Sequence, residues 1–177
     1  MMRKGFTLVE LMVAIILFLL TIGATTSLAV SLINQEKRSL ATQGLIDNSS
    51  YFLEYGGRFL RMAQEDDGDC IAAGTNYDAS GVSSIRFLDY ENHCREFLLD
   101  SQEIKEKVST DDTAANLGTA VGITAPNAEI NSLSFTVSGD SIDHQPRVTV
   151  NFSLQDKNLT EVSMTVETTI SQRNLNL

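Results

Sequence analysis

One long apolar segment near the N-terminus constrains this chain most, because lipid or protein must keep it from water. The segment starts at Phe6 after a short basic leader and runs to Ile33, and its single charged residue is Glu10. A helix of about 20 apolar residues is long enough to span a bilayer. A carboxylate is costly in lipid and usually has a function there. We therefore predict a membrane anchor that carries a functional carboxylate.

Two ordinary explanations of this segment leave part of it unexplained. A secretory signal peptide has an apolar core of about 7–15 residues and a small-residue cleavage site. The sequence Ser27-Leu28-Ala29 offers such a site, but the apolar run before it is too long and Glu10 has no role. A plain transmembrane anchor explains the length, but explains neither Glu10 nor the Gly5-Phe6 junction.

A third interpretation accounts for all of these features. The run Gly5-Phe6-Thr7-Leu8-Val9-Glu10 closely resembles the class III signal of type IV pilins and type II secretion pseudopilins. The resemblance implies that prepilin peptidase cuts after Gly5 and that Phe6 becomes the N-methylated first residue. It also implies that Glu10 is the carboxylate used in assembly, with other pilin subunits and the assembly platform as partners. The resemblance is strong over roughly the first thirty residues and rests on architecture beyond them.

Within that family, later segments resemble a minor pilin or a J-type minor pseudopilin. These segments are residues 58–63, 147–150 and 168–174. Many pilins carry a proline about two-thirds along the membrane segment, whereas this chain has Thr25-Thr26-Ser27 there. Gly23 is the alternative point of helix weakness.

Charge and cysteine content indicate an exported domain. Removal of the leader would take the net charge from −10 to −12, because the leader contains Arg3 and Lys4 and no acid. No basic cluster beyond Lys37-Arg38 is visible, so no nucleic-acid contact is expected. Cys70 and Cys94 fit one disulfide in an oxidising compartment, and two buried free thiols are the alternative. The basic leader places the N-terminus in the cytoplasm, the anchor in the cytoplasmic membrane and the remainder outside.

Hydrophobic periodicity predicts that the helix continues past the membrane and is followed by strands. From Glu36 to Ala63 there is no proline. An apolar stripe recurs at helical spacing, and a solvent-side ion pair is expected between Glu54 and Arg58. The members of the stripe are Leu45, Phe52, Tyr55, Phe59 and Met62.

Beyond Gln64 the period changes to two, which is typical of antiparallel strands with one buried face. Residues 109–127 are expected to form a loop or a small irregular subdomain. The expected strands are 84–90, 94–99, 103–108, 130–138, 147–155 and 162–170.

These elements predict an α+β fold in which one long helix packs on an antiparallel sheet, the pilin-like architecture that the N-terminus implies. We expect four segments: a leader at 1–5, a transmembrane and assembly helix at 6–33, its amphipathic continuation at 34–63, and an extracytoplasmic headgroup at 64–177.

Few residues suggest chemistry. The carboxylates of Glu65, Asp66, Asp67 and Asp69 are weak candidates for calcium, and a solvated acidic turn is the favoured interpretation. The sequence Gly139-Asp140-Ser141 near His144 is interpreted as a turn and not as a hydrolase site. Both His144 and His93 are expected to be exposed. No catalytic set, cofactor motif or metal-spaced cluster is apparent.

The sequence therefore predicts a non-enzymatic structural subunit of a pilus-like fibre or secretion pseudopilus. The alternative is a membrane-anchored extracytoplasmic binding or adhesin domain that does not polymerise. An anchored hydrolase is a third possibility, and it lacks a catalytic set.

Overall fold

A computed structural model describes residue 5, residues 7–139 and residues 145–173 of the 177-residue chain. Over these residues an N-terminal helix is followed by antiparallel strands, which confirms the α+β prediction. The helix α1 is Leu8–Arg61. The strands are β1 Ser84–Leu88, β2 Cys94–Asp100, β3 Glu103–Val108, β4 Val121–Gly122, β5 Ala128–Ser138, β6 Arg147–Asp156 and β7 Ser163–Ser171.

The chain divides into two compact units, Met1–Leu40 and Ala41–Leu177. The boundary lies within α1, so each unit contains part of this helix. In the first unit every described residue is exposed, whereas the second unit contains the hydrophobic core. The segment boundaries expected after residues 33 and 63 stay predictions.

Two antiparallel sheets form the strand-rich part of the second unit. The first has the strand order β1-β2-β3-β4 and the second has the order β5-β6-β7. In β6 the residues alternate between buried apolar and more exposed polar side chains, which is the pattern of a strand with one face on a core. The strand β2 is covered on both faces at its start, because Cys94, Arg95, Glu96 and Phe97 are all buried.

The second half of α1 packs on these sheets through the apolar stripe that the sequence predicted. Leu45, Phe52 and Phe59 are buried in the common core, and Tyr55 and Met62 are half-buried. The ring of Phe52 lies edge-on to Phe97 of β2, with ring centroids 6.1 Å apart. Such aromatic contacts add to the stabilisation that burial provides. Helix and first sheet therefore share one core.

A glycine pair permits the close approach of α1 to the strands. A Cβ atom added at Gly56 would lie 3.2 Å from Cε2 of Phe52 on the same helix and 3.6 Å from Cε2 of Phe97 on β2. One added at Gly57 would lie 3.4 Å from Cδ1 of Ile170 on β7. Both glycines are buried inside the helix. Glycine costs about 1 kcal/mol of helix propensity relative to alanine, so their value here is the space they leave for neighbouring side chains.

The end of α1 is fixed by the C-terminal part of the chain. The helix ends at Arg61, two residues before the predicted end at Ala63. The carbonyl of Arg61 accepts a hydrogen bond from the backbone N–H of Arg173 at 2.7 Å, and the carbonyl of Ala63 accepts one from Nε2 of Gln172 at 2.6 Å. These contacts satisfy carbonyls that a helix end leaves without intrahelical partners.

Two details of the structure were not in the sequence prediction. Residues 109–127, expected to form a loop or a small irregular subdomain, include the 3₁₀ helix Ala114–Asn116 and the strand β4, which pairs with β3. A two-residue strand has too little alternation to be recognised in a sequence. The expected ion pair between Glu54 and Arg58 is absent from the described residues, and the guanidinium of Arg58 lies 5.5 Å from the centroid of the Phe59 ring.

Candidate functional site

The start of α1 is organised by a reciprocal pair of hydrogen bonds between Thr7 and Glu10. The backbone N–H of Glu10 donates to Oγ1 of Thr7 at 3.3 Å, and the backbone N–H of Thr7 donates to Oε2 of Glu10 at 3.2 Å. The Thr7 hydroxyl also donates to Oε2 of Glu10, at 3.1 Å. This arrangement is a capping box, in which Thr7 is the N-cap and Glu10 is the third helical residue.

The capping box places the predicted assembly carboxylate in the first turn of the helix, where the helix dipole favours a negative charge. Only one oxygen of Glu10 takes part, because Oε2 accepts both hydrogen bonds from Thr7. Among the described residues, Oε1 accepts none and the side chain is exposed. The carboxylate can therefore cap its own helix and still offer an oxygen to another group.

The sequence analysis assigned Glu10 to assembly but missed this local role. The signal was present, because a threonine followed three residues later by glutamate before an apolar run is the signature of a capping box. Gly5 lies just before the box and is exposed. Phe6, the predicted first residue of the mature chain, lies outside the described residues.

The helix that follows exposes apolar side chains on all of its faces. The most apolar 18-residue stretch of α1 has a mean hydropathy of 2.4, so the helix is long and apolar enough to cross a membrane. None of this stretch is buried within the molecule. Large side chains along it are about half to three-quarters exposed, from 45% for Ile22 to 74% for Leu8. A helix that is apolar all round requires a surrounding of lipid or protein.

The hydroxyl groups of three threonines in this part of the helix donate hydrogen bonds to carbonyls of the same helix. The hydroxyl of Thr21 donates to the carbonyl of Phe18 at 2.8 Å, and that of Thr26 donates to the carbonyl of Ile22 at 2.9 Å. Thr25 bonds in the same way to the carbonyls of Thr21 and Ile22. Because a hydroxyl without a partner is costly in an apolar medium, these contacts make the threonines compatible with lipid. The helix continues without interruption through Gly23.

The acidic sequence after the helix is an ordered turn around one buried carboxylate. Asp66 is buried, and its Oδ2 accepts hydrogen bonds from the backbone N–H groups of Gly68, Cys70 and Ile71 at 3.0, 3.0 and 2.9 Å. The expected solvated turn is therefore wrong for Asp66. Its neighbours Glu65, Asp67 and Asp69 are exposed, as expected for a solvated turn. The calcium assignment stays a weak prediction, since the backbone already uses the central carboxylate.

A second acidic group, which the sequence analysis did not identify, lies in the turn between β1 and β2. Ligand atoms of Asp89, Glu91 and His93 lie within 4.8 Å of one another. Asp89 is fully buried, however, and Oδ1 accepts the backbone N–H groups of Glu91 and His93 at 2.8 and 3.0 Å. Its Oδ2 accepts two hydrogen bonds from Arg95. Asp89 therefore holds the turn together.

His93 is partly exposed. His144 lies outside the described residues, together with Asp140 and Ser141.

The structure joins Cys70 and Cys94 in a disulfide, with Cα atoms 5.4 Å apart. The bridge ties the turn after α1 to the first residue of β2. It forms a small buried cluster with Ile71 and Leu88. This is the connection that the sequence predicted between the segment after the helix and the second strand.

Comparison with known proteins supplies one match. Residues 1–26 match the family model described as the prokaryotic N-terminal methylation motif. No curated protein and no solved structure matches the chain. The N-terminus is therefore a class III prepilin signal, and it precedes a pilin-like α+β architecture.

Signal and architecture together support a type IV pilin or pseudopilin type of protein. Proteins with this signal are usually structural and not enzymes. The signal and the apolar helix also fit anchoring in a membrane by a single N-terminal helix.

Proposed function

We propose that this chain is a structural subunit, in a minor role, of a type IV pilus-like fibre or a type II secretion pseudopilus. Prepilin peptidase cleaves after Gly5, and Phe6 becomes the N-methylated first residue. The observation that carries the proposal is the methylation motif at residues 1–26, because it combines a cleavage junction with the carboxylate of Glu10. The headgroup then faces the outside and the leader faces the cytoplasm.

The exposed apolar helix supports assembly with other subunits. Its side chains are covered by lipid while the subunit waits in the membrane, and by neighbouring helices once it has entered a fibre. Either surrounding is apolar, so the transfer does not expose the segment to water. A helix that only anchors a binding domain needs the lipid surrounding alone. The partners of the proposed subunit are prepilin peptidase, sister pilins and the assembly platform.

Glu10 has a second role in this proposal. Cleavage after Gly5 creates a positive amine on Phe6, and in a fibre the Glu10 carboxylate of an incoming subunit pairs with the amine of a neighbour. Each charge is costly to remove from water, and their pairing offsets that cost. The oxygen Oε1, which accepts no hydrogen bond from the described residues, supports this role, because Oε2 alone makes the capping bonds to Thr7.

Mass spectrometry of the N-terminus tests the processing step directly. Protein extracted from membranes should begin with N-methylphenylalanine at Phe6. A mature N-terminus at Val30 would instead indicate ordinary secretion after Ser27-Leu28-Ala29 and would refute the proposal. An uncleaved N-terminus would also refute the proposal and would favour the alternative function, a membrane-anchored binding domain that does not polymerise.

A matched pair of variants tests the role of Glu10. Glu10→Gln keeps an oxygen that can accept the capping bonds but removes the charge, whereas Thr7→Ala removes the reciprocal cap and keeps the charge. We expect both variants to be inserted and cleaved, Thr7→Ala to enter the fibre, and Glu10→Gln to fail to enter it. Incorporation is scored by immunoblotting of sheared fibres for this subunit. Normal incorporation of Glu10→Gln would contradict the pairing, and failure of Thr7→Ala alone would assign Glu10 to capping only.

A further inference from the structure

The chain contains three sequences of the type Asn-x-Ser/Thr, the acceptor motif for N-linked glycosylation. They begin at Asn48, Asn151 and Asn158, and in none of them is the middle residue proline. Such a motif accepts a sugar only in a surface segment, where a bulky group has room and the amide nitrogen can be reached. The structure places the three motifs in a helix, a strand and a turn, so the surroundings of each amide distinguish them.

The first two motifs use their amide groups within the fold. Asn48 lies on α1, where its Nδ2 donates to the carbonyl of Gly44 at 2.8 Å and its Oδ1 accepts the backbone N–H of Ala125 at 2.8 Å. Asn151 lies on β6, the middle strand of the second sheet, and its Nδ2 donates to Oε2 of Glu167 at 3.0 Å. A transferase would have to break these bonds before it could reach either nitrogen. Neither motif is therefore an acceptor in the folded protein.

The third motif occupies the turn between β6 and β7. Asn158 and Thr160 are both exposed, and neither side chain makes a hydrogen bond within the described part of the chain. The turn is held together without them. Oδ1 of the buried Asp156 accepts the backbone N–H groups of Asn158 and Leu159, each at 2.8 Å, and the carbonyl of Leu159 accepts the backbone N–H of Val162 at 2.8 Å. A sugar attached to the amide of Asn158 would therefore displace no internal contact.

The usual structural reasons for an asparagine in a turn do not apply at Asn158. Asparagine is common in turns because it tolerates a positive φ, or because its side chain bonds to the backbone two residues later. Among the described non-glycine residues, a positive φ occurs at Asn92, Ser101 and Gln102. The side chain that bonds to the backbone of this turn is that of Asp156. The turn thus presents an asparagine whose side-chain amide has no use in the fold.

We propose that Asn158 is a site of N-linked glycosylation and that the donor is a sugar carried on a lipid diphosphate. The proposal goes beyond the proposed function and uses one part of it, namely that the second unit lies outside the cytoplasm. Nucleotide sugars are highly charged and do not cross a bilayer unaided, so an exported acceptor requires a donor that is held in the membrane.

The transfer involves no oxidation or reduction. The amide nitrogen of Asn158 forms a bond to the anomeric carbon of the sugar. The bond from that carbon to a diphosphate oxygen breaks, and its electron pair stays on the diphosphate. The proton that the amide loses passes to a base of the transferase. The hydroxyl of Thr160 completes the motif that such a transferase recognises.

Mass spectrometry of tryptic peptides tests the site, because trypsin separates the three motifs. Cleavage after lysine and arginine places them in peptides 39–58, 148–157 and 158–173. Full-length protein is purified in detergent from membranes of the cells that produce it naturally, and the peptides are fragmented to locate any added mass. We expect sugar fragments from peptide 158–173 alone, with the added mass on Asn158. If the sugar blocks cleavage after Lys157, fragmentation of peptide 148–173 assigns the mass to residue 151 or residue 158.

Two pairs of variants identify the acceptor atom. Asn158→Gln should remove all of the added mass, whereas Asn151→Gln, the matched control on the adjoining strand, should keep it. Thr160→Ser should keep the added mass because it retains the hydroxyl, and Thr160→Ala should lose it. All four variants should be exported and cleaved as the wild type is.

An unmodified peptide 158–173, or a sugar on Asn48 or Asn151 instead, would overturn the inference. So would a sugar that persists in Asn158→Gln, and its loss in Thr160→Ala would then assign it to the threonine hydroxyl. N-terminal mass spectrometry of the same membranes separates the two proposals. Cleavage after Gly5 with an unmodified peptide 158–173 rejects this inference alone, whereas an uncleaved N-terminus with a modified peptide rejects the proposed function alone.

Discussion

A buried group of charges around Arg95 allows a quantitative test of how the helix is held on the first sheet. Arg95 lies on β2, and its side chain is 6% exposed. Its Nε and Nη2 donate to Oδ2 of Asp89 at 3.1 and 2.9 Å, and its Nη1 donates to Glu106 of β3. The guanidinium also lies 3.7 Å from the centroid of the Phe59 ring on α1. The hydroxyl of Tyr55, also on α1, donates to Oε2 of Glu106 at 2.9 Å.

Replacement of Asp89 by alanine should strongly destabilise the second unit. The change removes both hydrogen bonds to Arg95 and the two that hold the turn before β2. Burial lowers the pKa of Arg95, but its hydrogen bonds to Asp89 and Glu106 raise this pKa above its usual value, so the group is charged at any ordinary pH. Removal of one member of a buried ion pair costs about 3–5 kcal/mol. For a unit of this size we expect a fall in melting temperature of about 10–20 °C.

Near-ultraviolet circular dichroism of the full-length protein in detergent can measure this fall. The chain has four tyrosines and no tryptophan, and all four tyrosines lie in the range 51–90, so the tyrosine signal reports on the second unit only. Asp100→Ala is the control, because it removes an exposed ion pair with Lys105 and such pairs contribute little to stability. A loss for Asp89→Ala no larger than that for Asp100→Ala would refute the reasoning.

Three further predictions concern the same unit. Burial and a carboxylate hydrogen bond raise the pKa of Tyr55, so the neutral phenol stabilises the fold below about pH 10 and this stabilisation is lost as the pH rises above it. Tyr55→Phe should therefore reduce the loss of stability between about pH 9 and 11, measured by denaturant unfolding at each pH. Joint replacement of Cys70 and Cys94 by serine should lower the free energy of unfolding by about 3–4 kcal/mol, and two alkylatable thiols in exported wild-type protein would contradict the disulfide. Gly56→Ala should lower the melting temperature despite its better helix propensity, because the added Cβ would lie 3.2 Å from a phenylalanine ring; an unchanged melting temperature would show that the ring moves away at no cost.

Much of the fold was predictable because period and burial coincide. In β6 the buried side chains Val148, Val150, Phe152 and Leu154 alternate with more exposed ones, and all six expected strands are present with ends within two residues. The observed end of β1 differs from the predicted end at residue 90, because a side chain forms a turn there. The strand ends at Leu88, since the buried carboxylate of Asp89 accepts the hydrogen bonds of the next turn. The two residues of β4 carry no period at all.

The buried charges could not have been predicted from the sequence. Arg95 of β2 and Glu106 of β3 are of residue types that are ordinarily solvent-exposed, yet they lie on the same strand faces as the buried Phe97 and Ile104. Only the register between these strands, which sets Arg95 opposite Val108 and Phe97 opposite Glu106, brings the arginine and the glutamate side chains together. The burial of Asp66 has a local origin, since the backbone N–H groups of Gly68, Cys70 and Ile71 in the same turn converge on its carboxylate. Strand register therefore determines the contact between Arg95 and Glu106, and turn geometry determines those of Asp66.

The two parts of α1 show why one continuous helix needs two kinds of surrounding. From Leu45 to Leu60 the buried residues lie on one side, and the sheets of the same unit cover that side. From Leu8 to Ile33 apolar residues occupy every side, and none of the most apolar window is buried within the molecule. A single sheet can cover one face of a helix but cannot enclose it. The first part of α1 therefore has to obtain its surrounding from outside the chain, and the proposed function supplies it first as lipid and then as the helices of neighbouring subunits.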